Sequence, residues 1–85
     1  ELGEIEVNVN MLPGIKLSAC IYDMDKGKIV LYYVGDITEK EVVLAMKTKL
    51  PRYMLPNRTV RLESMPFTAN GKIDRVALKQ MQSGN

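Results

Sequence analysis

The chain has 85 residues, 46% of them apolar, with 12 Lys and Arg against 10 Asp and Glu for a net charge of +2. That length suits one small domain or a piece of a larger one, and such a chain buries only roughly 60% of its unfolded surface, which excludes a roomy buried active site. The apolar content excludes disorder, the small charge by itself implies neither nucleic acid nor a membrane surface, and the lack of His beside a lone Cys20 excludes an imidazole base, an internal disulfide framework and a zinc site built from several cysteines.

No apolar run approaches the length of a membrane span and no signal peptide is visible, so a cytoplasmic location is expected. The chain opens on Glu1-Leu2-Gly3-Glu4 without an initiator Met, which points to a longer parent.

Leu2, Ile5, Val9 and Leu12 recur at spacings of three, four and three, one apolar stripe of a helix. Glu1, Glu4 and Glu6 fall near its N-terminal turn, where the helix dipole favours acids. Pro13-Gly14 stops it. Ile15 to Tyr22 then alternates, with Ile15, Leu17, Ala19 and Ile21 on one face and Lys16, Ser18, Cys20 and Tyr22 on the other; it reads as a strand with one face buried. Residues 23–27 form a turn, and Lys28 to Val34, dense in β-branched and aromatic residues, reads as the antiparallel partner of a hairpin.

Thr38-Glu39-Lys40-Glu41 has the form of a capping box, so a helix starts there, with Val42, Ala45, Met46 and Leu50 on its buried stripe and Pro51 at its end. Arg52 to Pro56 is a tight connection. Thr59 to Leu62 reads as a third short strand, and Ser64 to Gly71 as a loop. From Ile73 the pattern Ile73, Val76, Ala77, Gln80, Met81 is again helical, with Ser83-Gly84-Asn85 as a fraying tail. The order helix-strand-strand-helix-strand-helix predicts a small α+β fold, a three-stranded, mainly antiparallel sheet covered by helices.

Charge is unevenly placed: residues 1–44 carry a net −4 and residues 45–85 a net +6. A basic half is either a solvated face or a surface that meets an anion. Within it lies Pro66-Phe67-Thr68-Ala69-Asn70-Gly71-Lys72-Ile73-Asp74-Arg75. Asn70-Gly71 by itself is a turn. Lys72 after a glycine turn and before a helix is a point cation on a flexible stem, suited to charge that develops on phosphate or carboxylate oxygens. Asp74 and Arg75 are placed in the first helical turn, where Asp74 suits the dipole and Arg75 can brace the loop. No base or nucleophile stands beside them in sequence, so a catalytic role for this loop requires a second body to complete the site.

Leu50-Pro51-Arg52-Tyr53-Met54-Leu55-Pro56 reads as a rigid connector anchored to the core by Tyr53, Met54 and Leu55, or else as a rim that packs on a partner. Cys20 has no activating neighbour and is expected to be inert. Asp23, Asp25 and Asp36 lack the pattern of a calcium loop, and no metal site is expected. Tyr22, Tyr32 and Tyr33, with the basic half, define an alternative: a small basic α/β nucleic-acid-binding module whose tyrosines stack on bases. Tyr32 and Tyr33 are adjacent in a strand and must point to opposite faces, which weakens it.

Three stretches together carry a resemblance: Glu1-Leu2-Gly3-Glu4-Ile5-Glu6, Leu50-Pro51-Arg52-Tyr53-Met54-Leu55-Pro56 and Asn70-Gly71-Lys72-Ile73-Asp74-Arg75. Their order and spacing resemble the C-terminal subdomain of the adenylate-forming enzymes, in particular the amino-acid adenylation domains of nonribosomal peptide synthetases and the related D-alanine–carrier protein ligases. The resemblance covers essentially the whole chain. It implies an enzyme that activates a carboxylate with ATP and Mg2+ and passes the acyl group to the phosphopantetheine thiol of a carrier protein. It also implies a large N-terminal adenylation subdomain and hinge outside these 85 residues, a small subdomain that swings between two poses, and Lys72 as the lysine that reaches the reacting oxygens. Asn70, Gly71, Asp74 and Arg75 would support it. By the same resemblance no nucleic acid or membrane is a partner, and the fragment alone is expected to be inactive.

Overall fold

Three helices and a three-stranded sheet follow one another in the computed structural model, which describes residues 1–83: α1 (Leu2–Asn10), β1 (Ile15–Asp23), β2 (Lys28–Gly35), α2 (Glu39–Lys49), β3 (Arg58–Arg61) and α3 (Arg75–Ser83), with a 3-10 turn at Arg52–Met54. The sheet order is β1-β2-β3. β1 and β2 pair antiparallel from Asp23 opposite Lys28 to Ile15 opposite Gly35. β3 runs parallel to β2, from Arg58 beside Val30 to Arg61 beside Tyr33. A parallel neighbour needs a crossover, and α2 is that crossover. The expected α+β fold and element order are the ones observed.

Both faces of the sheet are covered. On one, Ile5 and Val9 of α1 and Val42 and Met46 of α2 pack over Cys20, Leu31 and Tyr33. On the other, Leu78 of α3 and Met65 pack over Ala19, Ile21, Val30 and Tyr32. β1 therefore differs from the half-buried strand expected: Ser18 and Cys20, assigned to the open face, are buried beneath α1. Alternation alone reports which side chains share a face, and a small polar or thiol residue fits under a helix as well as toward water.

α2 starts as its sequence requires. The Glu41 N–H donates to the Thr38 hydroxyl at 3.1 Å, and the Thr38 N–H donates to the Glu41 carboxylate at 2.9 Å. α1 ends at Asn10, just before Pro13-Gly14, where Gly14 takes φ +95°. β3 lies one residue earlier than expected.

Three local expectations are corrected. α3 begins at Arg75, not Ile73, because Ile73 bridges Phe67 across the preceding loop and so stays extended. The cap is Asp74, whose carboxylate accepts from the Ala77 N–H at 3.0 Å. That phase buries Leu78 and leaves Val76 and Met81 exposed, so the stripe drawn through them is not the packed one. In the 52–56 connection Met54 is buried and Leu55 half-buried, but Tyr53 is 82% exposed and anchors nothing in the core. Of the expected tail, Ser83 closes α3, and positions 84–85 lie outside the described residues.

Tyr32 and Tyr33 are both buried, on opposite faces. The Tyr33 hydroxyl donates to the Ile37 carbonyl at 2.6 Å, and that of Tyr32 to the Leu78 carbonyl at 3.4 Å. This removes two of the three tyrosines on which the nucleic-acid alternative relied, and leaves only Tyr22 exposed among them. Among the described residues no helix is long and apolar enough to cross a membrane.

Candidate functional site

The Lys72 loop is built from its own backbone. The Thr68 N–H donates to the Lys72 carbonyl at 2.7 Å and the Gly71 N–H to the Thr68 carbonyl at 2.9 Å. The Lys72 N–H donates to the Thr68 hydroxyl at 3.3 Å. The Asp74 N–H donates to the Pro66 carbonyl at 2.9 Å, and Phe67 bridges Ile73. The result is a small hairpin that closes immediately before α3. Gly71 sits at φ +82°, a conformation that costs an L side chain roughly 1–2 kcal/mol.

At the end of this hairpin Lys72 is exposed, as are Asn70 and Gly71. Among the described residues no salt bridge or side-chain hydrogen bond engages its ammonium. Asp74 stands directly behind it as the cap of α3, its carbonyl accepting from the Leu78 N–H at 3.2 Å. The loop thus presents a cation outward from a hydrogen-bonded base. Such a group can stabilise developing negative charge, while the neighbouring Asp74 carboxylate is engaged as the cap of α3.

Arg75 lies at the root of the same loop and makes the longest-range polar contact here. Its guanidinium donates to the two carboxylate oxygens of Glu6 at 3.0 and 3.4 Å and to the Cys20 carbonyl at 3.1 Å. The Glu6 carboxylate also accepts from the Cys20 N–H at 2.7 Å. Cys20 lies on the outer strand of the sheet, so Glu6 and Arg75 between them satisfy its outward-facing backbone groups, as a neighbouring strand would. One helical turn along α1, the Asn10 side chain accepts from the Ser18 hydroxyl at 2.8 Å.

The Cys20 thiol is shut away beneath this network, 1% exposed. Burial pushes its pKa up to about 12, the Glu6 carboxylate adds to the rise, and the Arg75 guanidinium opposes it. A thiol held in that state is not a nucleophile.

The structure thus brings Asn70, Gly71, Lys72, Asp74 and Arg75 together at one end of α3, as their adjacency dictates. It adds Glu6, which sequence reasoning had set aside as a dipole-favoured acid. The signal for Glu6 was present: Leu2, Glu6 and Val9 follow helical spacing, which puts a carboxylate on the inward flank of an apolar stripe, where it requires a partner.

No family model matches the chain. It is 37% identical over 92 residues to the anguibactin system regulator of Vibrio anguillarum, covering 95% of this chain and 9% of that protein. It is 41% identical over 83 residues to tyrocidine synthase 2 of Brevibacillus parabrevis, covering 92% of this chain and 2% of that protein. Among solved structures, a fatty acyl CoA synthetase of Mycobacterium tuberculosis superposes with a TM-score of 0.84 at 30% identity, over 95% of this chain and 17% of the synthetase. The chain therefore spans a small part of the length of these proteins. By sequence and by fold, the chain resembles one segment of larger peptide synthases and acyl-activating enzymes, about 17% of the length of the synthetase on which it superposes.

Proposed function

We propose that this chain lends Lys72 to an active site whose remaining walls belong to a larger adenylating subdomain of the same enzyme, where it stabilises formation of an acyl-adenylate from ATP and an amino acid. In that step a carboxylate oxygen bonds to the α-phosphorus of ATP, the bond to the β-phosphate breaks, and pyrophosphate leaves. Negative charge grows on the phosphoryl oxygens and shifts on the carboxylate, and an ammonium placed there stabilises the transition state more than the ground state. In a second pose the subdomain withdraws the loop, and the phosphopantetheine thiol of a carrier protein displaces AMP to give a thioester. The enzyme is a cytoplasmic amino acid–carrier protein ligase, either a peptide-synthetase module or a stand-alone D-alanine ligase.

The observation that carries this reading is the outward, unengaged ammonium of Lys72 on a hydrogen-bonded hairpin. Asn70 and Gly71 give the turn its shape, and Asp74 and Arg75 fix it to α3. Among the described residues no group of three or more His, Cys, Asp or Glu converges. The 85 residues alone, holding one cation of a divided site, are expected to bind ATP poorly and to turn nothing over.

The test is Lys72→Ala in the intact enzyme. Adenylate formation, read by ATP–pyrophosphate exchange, is expected to slow by very roughly 10²–10³, the scale of losing one preorganised electrostatic donor. Thioester formation from a presynthesised adenylate is expected to stay near normal. Equal loss in both half-reactions would overturn the assignment.

A further inference from the structure

We propose that Glu6 and Arg75 are a pair of positioning residues that set where the Lys72 loop stands relative to the sheet. The inference rests on the reading of Lys72 above and extends it to a residue 69 positions away in sequence.

The hydrogen bonds of the loop run from residues 66 and 68 to residues 71, 72 and 74. They give the hairpin its shape but do not tie it to the body of the domain. Contacts from α3 and its approach do. Among them is apolar packing, with Ile73, Met65 and Leu78 against the sheet face that holds Ala19, Ile21, Val30 and Tyr32. Such packing is strong but weakly directional, and the Tyr32 hydroxyl adds a long contact to the Leu78 carbonyl at 3.4 Å. The most directional is the Arg75 fork. Arg75 is three residues from Lys72 and is the first residue of α3. Its guanidinium reaches around the outer edge of β1 to a carboxylate on α1, the helix that covers the opposite face.

A two-point guanidinium–carboxylate contact fixes orientation as well as distance. Here it is braced by a third group, since Arg75 also donates to the Cys20 carbonyl while Glu6 accepts from the Cys20 N–H. The Glu6 side chain is 18% exposed, so its charge is too buried to be left to solvent, and Arg75 at 3.0 Å is its ion-pair partner. The clamp therefore ties both helical layers to one residue of the edge strand. A catalytic cation that visits a pocket on another body needs that registration, because a displacement of about 1 Å costs on the order of 10²-fold in rate.

The experiment uses the intact enzyme with Glu6→Gln, Arg75→Lys and the double variant, alongside Lys72→Ala. Glu6→Gln keeps the shape and an acceptor for Cys20, and Arg75→Lys keeps the charge but loses the fork. Each single variant is expected to lower kcat of adenylate formation about 10-fold or more, with KM for ATP and for the carboxylate substrate held. Thioester formation from presynthesised adenylate is expected at the unmodified rate, and the double variant to be little worse than either single, as for two halves of one device. Normal adenylation in both singles overturns the proposal. So does a proportionate fall in both half-reactions, which is what a merely structural role predicts. Should Arg75→Lys fail to fold, Glu6→Gln carries the test. A normal rate in Lys72→Ala would overturn the lysine reading itself, whereas a slow Lys72→Ala with normal Glu6→Gln and Arg75→Lys would overturn the clamp alone.

Discussion

Asn57 grips Ile29 through both its backbone and its side chain: the Asn57 N–H donates to the Ile29 carbonyl at 2.8 Å, and the Ile29 N–H donates to the Asn57 side-chain oxygen at 2.7 Å. The contact stands one residue before β3 and at the second residue of β2. It sets the point at which the returning chain enters alongside β2, and hence the register that puts Arg58 beside Val30. A parallel pair lacks a tight turn to fix its register, and here a side chain does that work.

Asn57→Ala is expected to lower stability by about 0.5–1.5 kcal/mol, the net worth of an exposed hydrogen bond whose donor water can then reach. Asn57→Asp, which keeps an acceptor at the same place, is expected to cost less. Urea unfolding monitored by circular dichroism measures both. Equal midpoints for Asn57→Ala and the parent chain would show that the grip contributes nothing.

Among the described glycines, Gly35 has backbone packed most closely against it. A methyl group there would meet the Ile15 Cα at 2.9 Å and the Gly14 carbonyl oxygen closer still. That carbonyl already accepts from the Asp36 N–H at 2.8 Å and has no slack. Gly35→Ala is expected to destabilise by about 3 kcal/mol, through overpacking against backbone. Gly3 is the control: it lies in α1 with nothing within 4 Å of an added methyl, so Gly3→Ala is expected to stabilise by roughly 0.5–1 kcal/mol. The two midpoints should move in opposite directions.

The capping box makes stability depend on pH at the acid end. Hydrogen bonds from the Thr38 backbone and then its side chain hold the Glu41 carboxyl below its ordinary range. A lowered folded pKa favours the folded state wherever the carboxylate is ionised. The contribution is complete above the unfolded value of about 4.3 and is lost as pH falls through the lower folded value. Denaturant midpoints between pH 6 and pH 3 are therefore expected to fall less in Glu41→Gln than in the parent chain. Parallel declines would contradict the assignment.

Cys20 produces the opposite pH dependence. Its folded pKa is raised to about 12, against about 8.5 for a free thiol. Its contribution is complete below about pH 8.5 and disappears as pH rises toward the folded value. Alkylation at pH 8 is expected to be negligible in the folded chain and to reach one equivalent in denaturant. The stability lost between pH 8 and pH 10 is expected to be smaller in Cys20→Ala. Ready labelling of the folded protein would mean that the region beneath α1 opens far more easily than its packing implies.

Much of this protein is written in short-range chemistry. The Thr38–Glu41 capping box, the 23–27 turn between two β-rich runs, the stop at Pro13-Gly14 and the Asn70-Gly71 turn before Lys72 each need only neighbours within a few residues, so composition and spacing determine them without a fold. The element order and the outward lysine followed from that alone. Other features depend on which surfaces meet. The start of α3 moved to Arg75 because Ile73 is claimed by Phe67, and Tyr53 turned outward although it lies between residues that pack. Ser18 and Cys20 went under cover because α1 crosses their face of the sheet. The parallel entry of β3 depends on the path of α2, and the meeting of Glu6 with Arg75 depends on β1 being the outer strand between two helical layers. Local sequence can specify where a chain turns and what shape a turn takes. Which distant side chains become partners is set only when the layers close, because the free energy of burying both faces of the sheet chooses the arrangement and the polar groups must then find partners within it.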